Sequence, residues 1–202
     1  MNSFERRVID LSYKHKLSHI GSCITALPII KNIYCVMEDR DVFVLSNGHA
    51  GLALYVVLES DGHGNAEELL LKHGVHPNLD LPHGISCSTG SLGHGIGMAA
   101  GMALADRTRR VYVLLSDGEC AEGSVWEALR IASEQGLENL KVHVNANGYG
   151  ATDAIPMGIL AARLVQFFPV VVHRTNMDDW PYYLRGVQAH YHVLQKDEYD
   201  VL

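Results

Sequence analysis

An α/β fold, with a mostly parallel central sheet flanked by helices on both faces, is predicted by two features of the sequence. Short β-branched and aliphatic runs, VFVL at 42–45, VYVLLS at 111–116, KVHVNA at 141–146 and FPVVVHR at 168–174, read as strands. Helical patterning separates each run from the next, which implies crossovers and a parallel sheet, with ligands collecting beyond the carboxyl ends of the strands.

The 202 residues are 48% hydrophobic and 19% charged, with a formal net charge of −7, which suits one domain over 1–202 with a sizeable core. No basic cluster is longer than Arg109-Arg110, so the footprint of a nucleic-acid or anionic-membrane binder is missing. An anionic ligand must therefore be held by local geometry. MNSFERRVIDLSYKHK has helical charge spacing and no apolar export run, and Cys23, Cys35, Cys87 and Cys120 form no CxxC pair. Reduced thiols and a cytoplasmic location are expected, without a zinc site.

Taken in order, 3–17 and 25–38 suit helices, the second opened by Thr25 as a cap with Pro28 in its first turn. After VFVL come SNGH, an apolar helix GLALYVVLES and a further helix NAEELLLKH. The stretch 74–91, rich in Gly, His, Pro and Ser, reads as a loop too long to be idle. GHGIGMAAGMALADR reads as a helix whose small residues pack closely on the sheet. The strand 111–116, a helix 121–135, KVHVNA and a turn at Asn147-Gly148 follow. ILAARLVQF is helical, FPVVVHR a strand, and an irregular tail carries AHYH.

Asp117 closes one strand and Asn147 the next. Taken singly, the first is a helix cap or a ligand, and the second is a turn residue or a ligand. If their strands are neighbours, both oxygens face one crevice, where a hard cation such as Mg²⁺ takes one or two protein oxygens and leaves the rest to water and phosphate.

Asp117-Gly118-Glu119, Glu122-Gly123 and Asn147-Gly148 together resemble the thiamine diphosphate motif of the transketolase family. The resemblance implies a thiamine-diphosphate-binding fold, with Asp117, Asn147 and the carbonyl of Tyr149 holding Mg²⁺, or Ca²⁺ or Mn²⁺ in its place. It continues along the chain. LSHIGSCITALPII is similar to the Ser-Gly-His-Pro-Gly stretch and puts His19 in the substrate-facing position. RDVFVLSNGHA puts His49 near the diphosphate, and GVHPN puts His76 at a sugar-contacting position. STGSLGHG is similar to the cofactor loop and implies that Gly90, Ser91, Leu92 and Gly93 contact the cofactor, Leu92 against the aminopyrimidine ring. Gly118 and Glu119 join that cofactor set, and Glu122 is implied in a carboxylate network across a subunit interface.

Glycines 90, 93 and 118 permit unusual φ and bring backbone N–H groups close to an anion. Helices opening after Gly93 and Glu119 are expected to offer positive ends to the diphosphate. His63, His73, His83, His143 and His173 read as structural, and His94 packs near the loop. His190 and His192 resemble a Trp-His-Gly-Lys segment of the family, without an assigned role.

The resemblance further implies transfer of a two-carbon ketol unit between sugars or sugar phosphates. The glutamate that activates the cofactor belongs to a pyrimidine-binding domain, which is expected on a separate chain, in a heterotetramer or another symmetric oligomer. The alternatives are a 2-oxo-acid-using carboligase resembling deoxyxylulose-phosphate synthase, and a non-catalytic structural or regulatory homologue. Three departures from the family stand out. Ser116 replaces a glycine, Asn145-Ala146 replaces acidic residues, and the segment between the Asn147 turn and the last strand lacks a strand and a helix. That shortening on the C-terminal side changes a sheet edge and a channel wall, so substrate specificity is not inherited.

Overall fold

Four strands, β1 (Val42–Leu45), β2 (Val111–Ser116), β3 (Leu140–Ala146) and β4 (Val170–Arg174), pair in sequence order and all in parallel. The computed structural model describes every residue except Ala151 and Asp179. Leu45 pairs with Leu114, Ser116 with Asn145, and Asn145 with His173, so the carboxyl ends of the strands meet along one edge of the sheet.

Two apolar layers form around the sheet because β1 and β2 are apolar at successive positions and feed both faces. Phe43, Leu45, Tyr112 and Leu114 pack with α1 (Ser3–His15), α2 (Ile20–Tyr34), α3 (Gly51–Ser60) and α4 (Ala66–His73). Val44, Val111, Val113, Leu115, Val142 and Val144 pack with α5 (Gly95–Ala105), α6 (Gly123–Glu134) and Leu164 of α7 (Met157–Phe167). Each fully buried side chain of this kind contributes about 1.5–3 kcal/mol.

The α/β class expected from the sequence is the one observed, and several local expectations are corrected. The second helix starts at Ile20 rather than 25. Thr25 lies inside it, with Oγ1 donating to the carbonyl of Gly21 at 3.0 Å and accepting from Asn145 Nδ2 at 2.9 Å, and Pro28 is also internal. The N-cap is His19, held at a left-handed φ of 64° with no side-chain cap bond, a start that cap chemistry does not announce. α1 ends at His15, where Lys16 turns left-handed. The expected helix at 121–135 divides into a 3-10 turn at Gly118–Ala121 and then α6.

The tail is ordered rather than irregular. Two 3-10 turns, Tyr182–Leu184 and Val187–His190, precede α8 (Lys196–Val201). Leu184, Ala189 and Leu194 are buried, and Tyr199 stacks on Tyr13 at 4.1 Å. Stretch 74–91 is likewise a tied hairpin, with Asp80 and Ile85 paired across it.

Coverage of both faces holds for β1 and β2 and fails at β3 and β4. There Lys141, His143, Val171 and His173 lie on a partly open face, with Val171 52% exposed. His143 and His173 stack at 5.1 Å and share a 2.8 Å hydrogen bond. Leu164 is the one buried residue among the described side chains of α7. Among the described residues, no helix is long and apolar enough to cross a membrane.

Candidate active site

Asp117 leaves β2 and Asn147 leaves β3, and because these strands are neighbours both side chains line one cleft at the carboxyl edge of the sheet. Asp117 is 1% exposed. Gly148 N–H donates to its Oδ2 at 2.6 Å and Gly118 N–H to its Oδ1 at 3.0 Å, so each oxygen keeps lone-pair capacity. Burial pushes the carboxyl up to about 6 against the opposing backbone hydrogen bonds, and among the described residues no Lys or Arg lines the cleft to offset the lost hydration. A divalent cation would relieve that cost.

Asn147 Oδ1 accepts from Tyr149 N–H at 3.0 Å in an Asx turn. A Cβ on Gly118 would meet Gly150 Cα at 3.3 Å and Tyr149 O at 3.9 Å, so the turn after β3 lies against the turn after β2. Gly118 thus has a packing reason that a larger residue would not satisfy. Ser116, in place of the family glycine, costs nothing in backbone terms, since the positive-φ non-glycine residues described are Lys16 and His19.

Three imidazoles also line the cleft. The rings of His19 and His49 lie 5.3 Å apart, those of His19 and His190 6.0 Å, and those of His49 and His190 6.5 Å. Burial, reinforced by the neighbouring histidines, lowers His49 to about 3 and lowers His19 as well. Burial also lowers His190. All three are therefore neutral near pH 7, and each can donate at one nitrogen and accept at the other. The tail supplies His190 and pins His19: the His190 carbonyl accepts from His19 N–H at 3.1 Å, and His190 Nδ1 meets Ser22 Oγ at 3.3 Å. His190 Nε2 is buried with no hydrogen-bond partner among the described residues.

Beneath this cleft Glu119 is fully buried and joins three loops. Its Oε1 accepts from Ser46 Oγ at 2.5 Å and from Gly93 N–H at 2.8 Å, and its Oε2 accepts from Ser116 N–H at 3.2 Å. Burial raises this carboxyl above its usual range, and the three donors oppose the shift. Gly93, at φ 77°, has no room for a Cβ, which would stand 2.3 Å from Ser124 Oγ and 2.8 Å from Glu122 Cβ.

His19, His49, Leu92, Asp117, Gly118, Asn147 and Tyr149 thus share the cleft. Ser91 and Gly93 line an adjoining groove with Ser124 and Met98. His76 is exposed, and its ring bears on Gly90, where a Cβ would meet His76 Cγ at 2.9 Å. Glu122 is exposed at the N-cap of α6. Glu119 lies under the loop rather than in the cleft. Of the two helix starts expected to face an anion, α5 opens at Gly95 as anticipated, whereas a 3-10 turn stands between Glu119 and α6. Sequence reasoning missed Ser22, saw Asn145 only as a departure from the family's acidic residues, and left His190 without a role. The alternation of polar residues along KVHVNA was the available signal for Asn145. A larger hollow of ≈ 690 Å³ at the amino ends of β3 and β4 is lined largely by apolar residues such as Leu140, Val165 and Phe168, away from these groups.

Residues 27–153 match the family described as transketolase, thiamine diphosphate binding domain. The chain is 36% identical over 162 residues to one of the subunits of apulose-4-phosphate transketolase from Phocaeicola vulgatus, an alignment covering 70% of this chain and 57% of that protein. It is 41% identical over 159 residues to human transketolase, covering 69% of this chain and 26% of the relative. The fold is similar to that of transketolase from Leishmania mexicana, with a TM-score of 0.66 at 22% identity over 85% of this chain and 35% of that one. The chain thus spans between about a quarter and somewhat over half of the curated relatives it matches. With the family match covering more than half of its residues and the expected fold around them, this chain belongs to the transketolase family, in the part that binds thiamine diphosphate.

Proposed function

We propose that this chain is the diphosphate-binding component of a transketolase-like transferase, active with a separate pyrimidine-binding chain in a symmetric oligomer and moving a two-carbon ketol unit between sugars or sugar phosphates. The observation that carries this reading is the one cleft that Asp117 and Asn147 share with three neutral histidines. The donor set suits Mg²⁺ or a similar hard cation: one buried carboxylate with no countercharge, one side-chain amide, and a carbonyl at Tyr149. Bound thiamine diphosphate supplies electron-sink chemistry for breaking and making a carbon–carbon bond beside a carbonyl.

The residues of the chain then divide the work. Asp117, Asn147 and Tyr149 would hold the metal, and the backbone around Gly90, Ser91 and Gly93 would approach the cofactor, with Leu92 giving an apolar surface. Glu119 fixes the height of that loop. His19, His49 and His190, with His76 at the rim, would orient hydroxyls and carbonyl oxygens and hold or pass protons at them. Glu122, exposed beside Gly93, is available to a partner chain. Among the described residues the cleft wall made by this chain has no Lys or Arg, so substrate phosphate charge falls to the partner. The partnership is further supported by the bacterial relative, whose name makes it one component of a transketolase built from more than one chain. A cytoplasmic location accords with four free cysteines. The matched relatives are transketolases, which favours ketol transfer over the 2-oxo-acid alternative.

The test is co-purification with a pyrimidine-binding chain, followed by thiamine diphosphate binding with and without Mg²⁺ and a donor–acceptor screen. Metal-dependent binding and ketol transfer by the pair, with neither chain active alone, is the expected result. Binding indifferent to the metal would overturn the site assignment.

A further inference from the structure

The stretch 74–91 is a short hairpin tied at several rungs. Asp80 and Ile85 exchange backbone hydrogen bonds of 2.9 and 3.0 Å, Thr89 N–H donates to the Pro77 carbonyl at 3.0 Å, and Leu79 N–H donates to Ser88 Oγ at 2.9 Å. These rungs couple its two roots. His76 stands at one root and Thr89 to Gly93 at the other, with the His76 ring bearing on Gly90.

At its far end a single oxygen fastens the hairpin to α4. Asp80 Oδ2 accepts from Lys72 Nζ at 2.7 Å and lies 3.0 Å from His73 Nε2 and 2.8 Å from His83 Nδ1. The Asp80 side chain is 8% exposed and that of His73 4%. Hydrogen bonds from Lys72 first, then His83, hold the Asp80 carboxyl well below the usual carboxylate range. None of the four residues lines the cleft. α4 does not need this cluster for its own start, because Asn65 caps it through Glu67 and Glu68 N–H. A buried carboxylate with converging donors fixes geometry far better than an exposed ion pair does.

We propose that Asp80 is a positioning residue: through Lys72, His73 and His83 it sets where His76 and the loop from Thr89 to Gly93 stand against the cleft. The inference rests on the cofactor reading above for its consequence, though not for its structural content.

Asp80→Asn in the full chain keeps the size of the side chain and removes its charge. The expected result is a shift of the His76 ring and of the Gly90 and Gly93 amides in NMR spectra, with the Asp117 and Gly118 amides unmoved. In the complex with a pyrimidine-binding chain, thiamine diphosphate affinity in the presence of Mg²⁺ should fall about tenfold, the lower end of what loss of outer-shell support costs. Lys72→Met, at a half-exposed side chain, guards against a variant that fails to fold and should move the same resonances by less. A lower melting temperature with His76, Gly90, Gly93 and cofactor affinity all unchanged would overturn the proposal and leave Asp80 as a fastening of α4 alone. If the wild-type complex binds no thiamine diphosphate, the cofactor reading fails, and the resonances still decide whether Asp80 positions the hairpin.

Discussion

Strands β2 and β4 belong to the same sheet and are nonetheless packed very differently. Every residue of β2 is buried, and its carboxyl end delivers Asp117 into the cleft. No residue of β4 is fully buried, and its neighbour α7 exposes Ile159 and Val165 by more than half. A parallel strand is normally buried on both faces, so β4 departs from the rule where β2 obeys it. The cofactor end of this domain is therefore built on the well-buried half of the sheet, with His190 of the tail added to it, while α7 and β4 contribute little.

The severest challenge to this division lies at the proposed metal site. Asp117→Ala should abolish the metal-dependent part of thiamine diphosphate binding, measured by calorimetry with Mg²⁺ and with chelator, while the melting temperature changes by only a few degrees. Removal of a buried carboxylate also removes its desolvation cost, which offsets the loss of two amide contacts. Unchanged affinity would sever the link between the end of β2 and the cofactor.

Next in size is the strut beneath the loop. Glu119→Ala leaves Ser46 Oγ, Gly93 N–H and Ser116 N–H without their acceptor. Each orphaned buried donor costs about 1–3 kcal/mol, and three of them outweigh the relief of the carboxyl's own desolvation, so urea unfolding should report a loss of roughly 3 kcal/mol. A loss under about 1 kcal/mol would mean that water reaches these donors and that the cofactor end is less rigid than β2 suggests.

How far the sequence reveals the two halves follows from the range of the interactions that build each. Motifs at the strand ends were legible because their signals are local: an apolar run, a terminating Asp or Asn, and a glycine for the turn. The start of α2 was not, since His19 adopts a left-handed φ stabilised by His190, which is distant in the chain. His190 lies 168 positions from the Ser22 it contacts, and no spacing rule reaches that far. The hairpin at 74–91 looked like loop because its order comes from Asp80 and cross-chain rungs rather than from periodicity. The open face of β3 did leave a trace. Lys141, His143 and Asn145 alternate with Val142, Val144 and Ala146, a half-buried pattern where a fully covered strand would run apolar throughout.

The same truncation made on both strands puts a value on their difference in packing. Val113→Ala, at 0% exposure, should cost about 2 kcal/mol or more in unfolding free energy, whereas Val171→Ala, at 52% exposure, should stay within about 0.5 kcal/mol. A large cost at Val171 would show that the open face is covered in solution.

A weaker signal still is a pH dependence confined to that face. Burial, with a contribution from His173, lowers His143 to about 4 from an ordinary value of 6.5. Well above pH 6.5 the ring is neutral in both folded and unfolded chains, and it contributes no pH slope. As pH falls from 6.5 towards 4 the unfolded chain binds a proton that the folded chain refuses, so stability declines through that window and levels off below it. His19, His49 and His190 slope the same way, and Asp117, raised to about 6, slopes the opposite way, so the wild-type curve alone is a sum. Subtracting the curve of His143→Gln, which keeps a hydrogen-bonding group and loses the titration, isolates the face. The difference should amount to roughly 1 kcal/mol between pH 7 and pH 4.5 once screening at a partly open site is discounted, read from urea midpoints at each pH. A flat difference would mean that His143 is as hydrated as in the unfolded chain, and that the face is more open than the stacked pair of rings implies.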